Sequence, residues 1–398
     1  MSKNKIIYIG NFDFPFGNAS GKRVYGTGKL LRELGYETIF IGMNKNVAAG
    51  TALVETRQEY DGFVYYNFSY PGGSKSWINY NSVYQQFTEW LMSQKKQVEA
   101  IICYGSPRLS MFITKVIKWG HKNGIKVMSD CVDWLESKTG NFVFDIAKTV
   151  DTYYQKAIAN RKADGVICIS SYLSRYYQKH KKKTVIIPPL SMNIAKEHIE
   201  NTDRKLVLVY AGSPFRDHTE VKDLNALKDR VDLMIELLYE MKKADIDFKF
   251  YYYGLDQDNY LSAFPLQKDQ VAYLADSIEF CGFQPNDKIL DKIRCADYTI
   301  LLRDVKKATM AGFPTKVSES ISNGTPVITT RTSDIDTYLQ DGRQAVYIDQ
   351  YNMPESVKAI KKVVESGRYR NMKQACAGND IFYYASYCHK MKDFMESL

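Results

Sequence analysis

Short unbroken apolar runs alternate with longer stretches of helical periodicity along almost the whole chain, and this constrains the fold more than any single motif. Runs at 5–10 (KIIYIG), 38–43 (TIFIGM), 99–104 (EAIICY), 125–129, 165–170 (GVICIS) and 184–188 (TVIIP) predict strands. Amphipathic stretches at about 21–35, 77–96, 107–123, 148–163 and 171–180 predict the helices between them. Strands that are apolar throughout, rather than alternating, are buried on both faces. A parallel sheet covered by helices on each side satisfies that. The pattern stops at Pro188-Pro189, crosses a polar stretch to about 204, and restarts at 205–211 (KLVLVYA). Strands at 247–254, 278–282, 297–302, 325–330 and 345–348, with helices at 229–243, 286–296 and 316–323, make a second block of the same kind. The expected fold class is α/β, with two doubly wound, Rossmann-like domains. The N-terminal one spans 1–190, the C-terminal one spans 203–375, and an amphipathic helix at 379–398 returns to the first.

Composition excludes several classes. With 398 residues, 45% hydrophobic and 25% charged, the chain has enough apolar material for two cores and is neither a disordered tail nor a small disulfide scaffold. The net charge of +9 is mild and spread out, which suits anionic ligands or an anionic surface better than nucleic acid. Seven widely spaced cysteines without a C-x-x-C pattern argue against a disulfide framework or a zinc site. The five histidines are scattered, so no metal site is expected. The first apolar run is too short for a leader, and no stretch of membrane-spanning length occurs, so the expected location is cytoplasmic. The run Arg175, Lys179, His180, Lys181, Lys182, Lys183 lacks an acidic residue. It suits either peripheral contact with anionic lipid at the inner face of a membrane or a solvated face.

The loop after the first strand is rich in glycine, with Gly10, Gly17, Gly21, Gly26 and Gly28, yet fits neither a P-loop nor a dinucleotide fingerprint. Its small residues let backbone N–H groups approach an anion at a helix N-terminus. A second segment is more informative. Pro314 precedes a helix for which Thr315 is the candidate N-cap; Lys316 lies in its first turn and Glu319 three residues on, on the same face. N–H groups with an adjacent Lys suit a diphosphate, and a carboxylate one turn inward suits ribose hydroxyls. Asp130 and Asp133, at the end of the fourth predicted strand, sit where a carboxylate orients an acceptor hydroxyl or a donor sugar, or caps the next segment. Arg303 has the same placement in the second block. Asp256-Gln257-Asp258 and Asp334-Ile335-Asp336 have the form of a metal motif but read as solvated loops.

The runs A-D-Y-T-I-L-L-R-D from 296, G-F-P-T-K-V-S-E-S from 312 and G-T-P-V-I from 324 resemble the donor-binding region of glycosyltransferase family 4, of GT-B fold. The likeness is greatest to the branch found in bacterial capsule and surface-polysaccharide clusters. Tyr210-Ala211-Gly212-Ser213-Pro214 and P-F-G-N-A-S-G-K-R-V from 15 match that branch as well. The resemblance implies two domains facing across a cleft, and transfer of a sugar from a nucleotide-diphosphate donor to a glycan or lipid-linked acceptor. It also implies retention of anomeric configuration. Phosphate charge met by fixed cations and N–H dipoles requires no cofactor or divalent metal.

By position, Glu319 matches the ribose-binding second Glu of the E-x7-E motif. Lys316, Val317 and Ser318 match the helix start that faces the diphosphate, with Thr315 beside them as a donor-binding residue, and Gly17 to Gly21, with Asn18 among them, match the loop that closes over the donor. Gly212 and Ser213 begin the segment that carries a cation pair in the family. Here 215–227 reads as an insertion, which leaves Lys228 as the expected phosphate ligand, with Arg216 second and Lys222 third. The first Glu of E-x7-E is replaced by Ala311. That substitution motivates the alternative of a non-catalytic subunit that binds a partner transferase or a glycan.

Overall fold

The computed structural model describes residues 4–134, 142–197, 199, 205–215 and 217–398, without the side chains of 142–144. The chain divides into two compact units. The first comprises Met1–Met192, Ala311–Phe313 and Tyr384–Leu398; the second comprises Asn193–Met310 and Pro314–Tyr383.

The first unit is built on eight strands: β1 (Lys5–Gly10), β2 (Glu37–Asn44), β3 (Gln58–Tyr60), β4 (Phe63–Ser69), β5 (Val98–Tyr104), β6 (Lys126–Cys131), β7 (Gly165–Cys168) and β8 (Lys183–Ile186). Their order is β3-β4-β2-β1-β5-β6-β7-β8, parallel except for the antiparallel edge strand β3. β1 is buried from Ile6 to Gly10, as a central strand covered on both faces must be. The helix Ala19–Glu33 lies close to the sheet because Gly28 has no side chain: a Cβ there would stand 2.4 Å from the Phe40 ring. Order reverses between β1 and β5, and the loops after these strands flank the crevice where doubly wound sheets take ligands.

The second unit has an all-parallel six-stranded sheet: β9 (Leu206–Ala211), β10 (Phe248–Tyr253), β11 (Ile278–Gly282), β12 (Tyr298–Leu301), β13 (Val327–Thr329) and β14 (Ala345–Tyr347), in the order β11-β10-β9-β12-β13-β14. Here order reverses between β9 and β12. Gly212 follows the first of these strands and Arg303 the second.

Two expectations about elements need correction. The predicted terminal helix is shorter: a 3-10 turn at Tyr384–Tyr387 leads into a helix at Cys388–Ser397. Asn379 accepts the Ile381 N–H at 2.9 Å, a side-chain turn that competes with helix there. The stretch predicted as one helix at 148–163 is a helix from Phe142 to Tyr154, a π turn at Gln155–Ala159 and a short helix at Asn160–Lys162.

Candidate functional site

Asp229 organises the C-terminal strand ends of the second unit. Its side chain is 4% exposed, and its carboxylate accepts from three groups. Arg303 Nε donates at 2.7 Å, Lys316 Nζ at 2.8 Å and the Tyr210 hydroxyl at 2.9 Å. Burial alone would raise the Asp229 carboxyl, but Lys316 and Arg303 outweigh it and hold the group well below the usual carboxylate range. Burial, reinforced by Asp229, pushes the Tyr210 hydroxyl well above its ordinary value, so it stays a donor. One buried anion thus holds two cations and leaves the cluster with a net positive charge.

Sequence explains each placement. Tyr210 is the penultimate residue of β9, and Arg303 follows β12, where its backbone N–H donates to Thr330 Oγ1 at 3.0 Å. Lys316 comes from the first turn of the helix Thr315–Ser322 and crosses to Gly212. A Cβ on Gly212 would lie 2.7 Å from Lys316 Cε and 2.9 Å from its Nζ, so only glycine leaves the ammonium this path. Thr315 is not the N-cap. The helix begins at Thr315 itself, Pro314 occupies the cap position, and no side chain caps the first turn. The Val317 N–H turns back to the Pro314 carbonyl at 3.1 Å. The helix therefore offers N–H groups at its positive end beside a lysine, a setting suited to an anion.

Glu319 lies one turn along from Lys316, and both line a cavity of ≈ 20 Å³ with Ala211, Thr299 and Leu301. That is room for about one water molecule, so the two side chains flank a crevice rather than enclose a chamber. A larger cavity, ≈ 200 Å³, opens beside Lys205, Asp247 and Lys361. It sits at the N-terminal ends of β9, β10 and β12, the opposite end of the strands from the one where doubly wound sheets bind ligands.

The remaining expected residues of this unit separate. Ser213 is exposed, its hydroxyl donating to the Phe215 carbonyl at 3.2 Å. Val317 is in the core: its side chain is fully buried and its N–H donates to the Pro314 carbonyl. Lys228 is half-buried, Lys222 is exposed, and Arg216 lies outside the described residues. The 217–227 stretch packs on the helix Gln257–Ala263, with His218 N–H on Asn259 Oδ1 at 3.0 Å and Val221 N–H on the Ala263 carbonyl at 3.1 Å. Lys306 clamps its end through the carbonyls of Asn225, at 2.7 Å, and Leu227. Asp256, the first residue of one D-x-D stretch, caps that same helix by accepting the Asn259 N–H at 2.8 Å.

In the first unit Asp130 is buried and engaged by Arg23 and Tyr8. It is 2% exposed and takes Arg23 in a fork, Nη2 at 2.7 Å and Nε at 2.9 Å, together with the Tyr8 hydroxyl. Arg23 also donates to the Ile187 carbonyl at 3.0 Å. Asp133 is half-buried, 3.6 Å from Lys156, which projects from the π turn. Burial opposes the charge on Lys156, but Cys131, Asp133 and Tyr104 push its ammonium up to about 12. Asn18 is the N-cap of its helix, accepting the Gly21 N–H at 2.8 Å. Gly17 sits where a Cβ would strike Asp13.

Sequence reasoning missed Asp229 as the hub; the signal was present as a carboxylate next to the expected phosphate ligand Lys228.

Residues 221–378 match the family described as glycosyl transferases group 1. No curated protein sequence matches the chain. Among solved structures the chain is similar to Anabaena HepE in complex with UDP, at 12% identity and TM-score 0.64, covering 99% of this chain and 100% of that one. It is also similar to a glycosyltransferase from Rickettsia africae (12% identity, TM-score 0.65, covering 100% and 99%). The pneumococcal O-GlcNAc transferase GtfA in complex with UDP and GlcNAc is a third (12%, TM-score 0.62, 99% of each). At such identities the likeness speaks for the fold, which is GT-B.

Proposed function

We propose that this chain, whose residues 221–378 match the group 1 glycosyl transferases, transfers a sugar from a nucleotide-diphosphate donor to a glycan or lipid-linked acceptor in surface-polysaccharide synthesis. The observation that carries this reading is the Asp229 cluster. Two cations on one buried carboxylate, beside an uncapped helix N-terminus, meet the requirements of a diphosphate. Lys316 and Arg303 face the phosphates, with Lys228 as a further cation and Glu319 accepting from the ribose hydroxyls. HepE and GtfA were each solved with UDP, which favours a uridine donor.

Fixed positive charge stabilises the diphosphate leaving group as the glycosidic bond breaks, without a divalent ion. The configuration at the anomeric carbon is retained. No helix among the described residues is long and apolar enough to cross a membrane.

The test is a thermal-shift screen with UDP, GDP, ADP and CMP sugars, followed by assay of donor hydrolysis. A nucleotide at about 100 times its Kd raises stability by about 2.7 kcal/mol. UDP-sugars should raise the melting temperature of the wild type and not of Lys316→Ala. A wild type indifferent to every nucleotide overturns the reading.

A further inference from the structure

The helix Phe142–Tyr154 turns an apolar stripe toward solvent. Ile146 is 50% exposed, Val150 62% and Tyr153 61%, at the i, i+4, i+7 spacing that places them on one face. Ile158 in the π turn and Ile78, at the end of the short helix Ser74–Ile78, are exposed as well. Lys148 ties that short helix to the stripe, its ammonium 5.1 Å from the Trp77 ring. A helix facing water ordinarily shows its polar side, and an apolar stripe in that place marks an interaction surface.

The border of the stripe is basic. Arg161 and Lys162 are exposed beyond the π turn, and Arg175 and Lys179 are exposed on the helix Ser171–Lys179. Tyr176, on that second helix, lies near both Arg161 and Tyr153, and its ring lies 4.9 Å from that of His180. Among the described residues, acidic groups nearby are few or engaged, Asp133 lying 3.6 Å from Lys156 of the π turn. Asp151 accepts the Ser110 N–H at 2.8 Å and Asp164 the Val127 N–H at 2.7 Å, while Asp145 is half-buried.

The geometry points to docking of the first unit on an anionic lipid bilayer, with Ile146, Val150 and Tyr153 entering the headgroup–acyl boundary and Arg161, Lys162, Arg175 and Lys179 meeting lipid phosphates. Apolar side chains flanked by Lys and Arg, with few outward carboxylates among the described residues, complement such a surface. A protein partner of matching shape would have to bring its own acidic border. The surface stands on this unit alone; its use, to bring the enzyme to a lipid-linked acceptor, rests on the function proposed above.

The full-length protein is tested by flotation with vesicles of phosphatidylcholine alone and of phosphatidylcholine with phosphatidylglycerol. Binding to the anionic vesicles is expected, and Arg175→Gln with Lys179→Gln should weaken it by about five-fold per charge, or about 25-fold together. Val150→Asp with Tyr153→Asp should abolish it. These side chains are exposed, and unchanged melting temperatures show that the variants are folded. Failure of the wild type to float, or flotation of the variants at the wild-type level, overturns the proposal. So does self-association that Val150→Asp disrupts, since the stripe is then an interface between copies. UDP-sugar thermal shifts on the same variants should match the wild type. If the wild type floats but no nucleotide shifts it, the donor reading fails and the surface stands.

Discussion

Asp229 illustrates how a charge can matter without meeting a ligand. Its carboxylate is buried, so its removal strands Lys316 and Arg303 beside one another; breaking a buried pair in this way costs about 3–5 kcal/mol. Asp229→Asn should therefore lower the urea midpoint and, in the protein that remains folded, weaken nucleotide binding, because Lys316 and Arg303 lose their common anchor. The pH dependence has a definite sign. The folded-state carboxyl titrates below its unfolded value, so its contribution is complete at neutral pH. It fades as pH falls from about 4, where the unfolded group titrates, down through the depressed folded value. An acid-unfolding curve that moves to lower pH in Asp229→Asn would contradict this. Gly212→Ala is the gentler probe: a methyl 2.7 Å from Lys316 Cε displaces that side chain without removing a charge. Nucleotide affinity should fall while the fold persists, as read by thermal shift with and without UDP.

At the scale of elements, the central strands were legible because burial on both faces writes itself as unbroken apolar sequence. Tyr8-Ile9 in β1 and Val207-Leu208-Val209 in β9 need no tertiary knowledge to be read. β3 and β4 were not, since an antiparallel edge pair is partly exposed and its Tyr-rich sequence lacks that signature. The start of the helix Thr315–Ser322 and its Lys316–Glu319 face followed from local spacing, whereas its cap did not. The Asp130–Arg23 pair spans 107 residues of sequence, and no local pattern encodes a partner at that distance. A strand-end carboxylate aimed at a ligand and one aimed at a buried arginine look alike until the chain is folded. The terminal helix Cys388–Ser397 shows what its element contributes: Phe394, 5% exposed, meets the bare backbone of Gly165 in β7, where a Cβ would stand 2.6 Å from its ring. Phe394→Ala should destabilise the first unit by about 3–5 kcal/mol in urea titrations. Gly165→Ala should do so by overpacking.

At the scale of the whole molecule, the proposed roles divide between the two units. Lys316, Arg303, Lys228 and Glu319 all belong to the second, and the stripe with its basic border belongs to the first. A nucleotide diphosphate brings at least two negative charges that must be met as the bond to the sugar breaks, by a bound cation or by the protein itself. In the proposed mechanism the protein meets them, with a guanidinium and an ammonium already oriented by one carboxylate and with the N–H groups of an uncapped helix start. These charges are part of the fold and cannot be chelated. Turnover should therefore be unchanged by EDTA and by added Mg²⁺ or Mn²⁺, and should fall by two orders of magnitude or more in Lys316→Ala, about the loss of one well-placed donor to the leaving group. Initial rates with a UDP-sugar, with and without chelator, decide between the alternatives. An absolute requirement for a divalent ion would mean that the cluster orients the donor but leaves the developing charge to a metal.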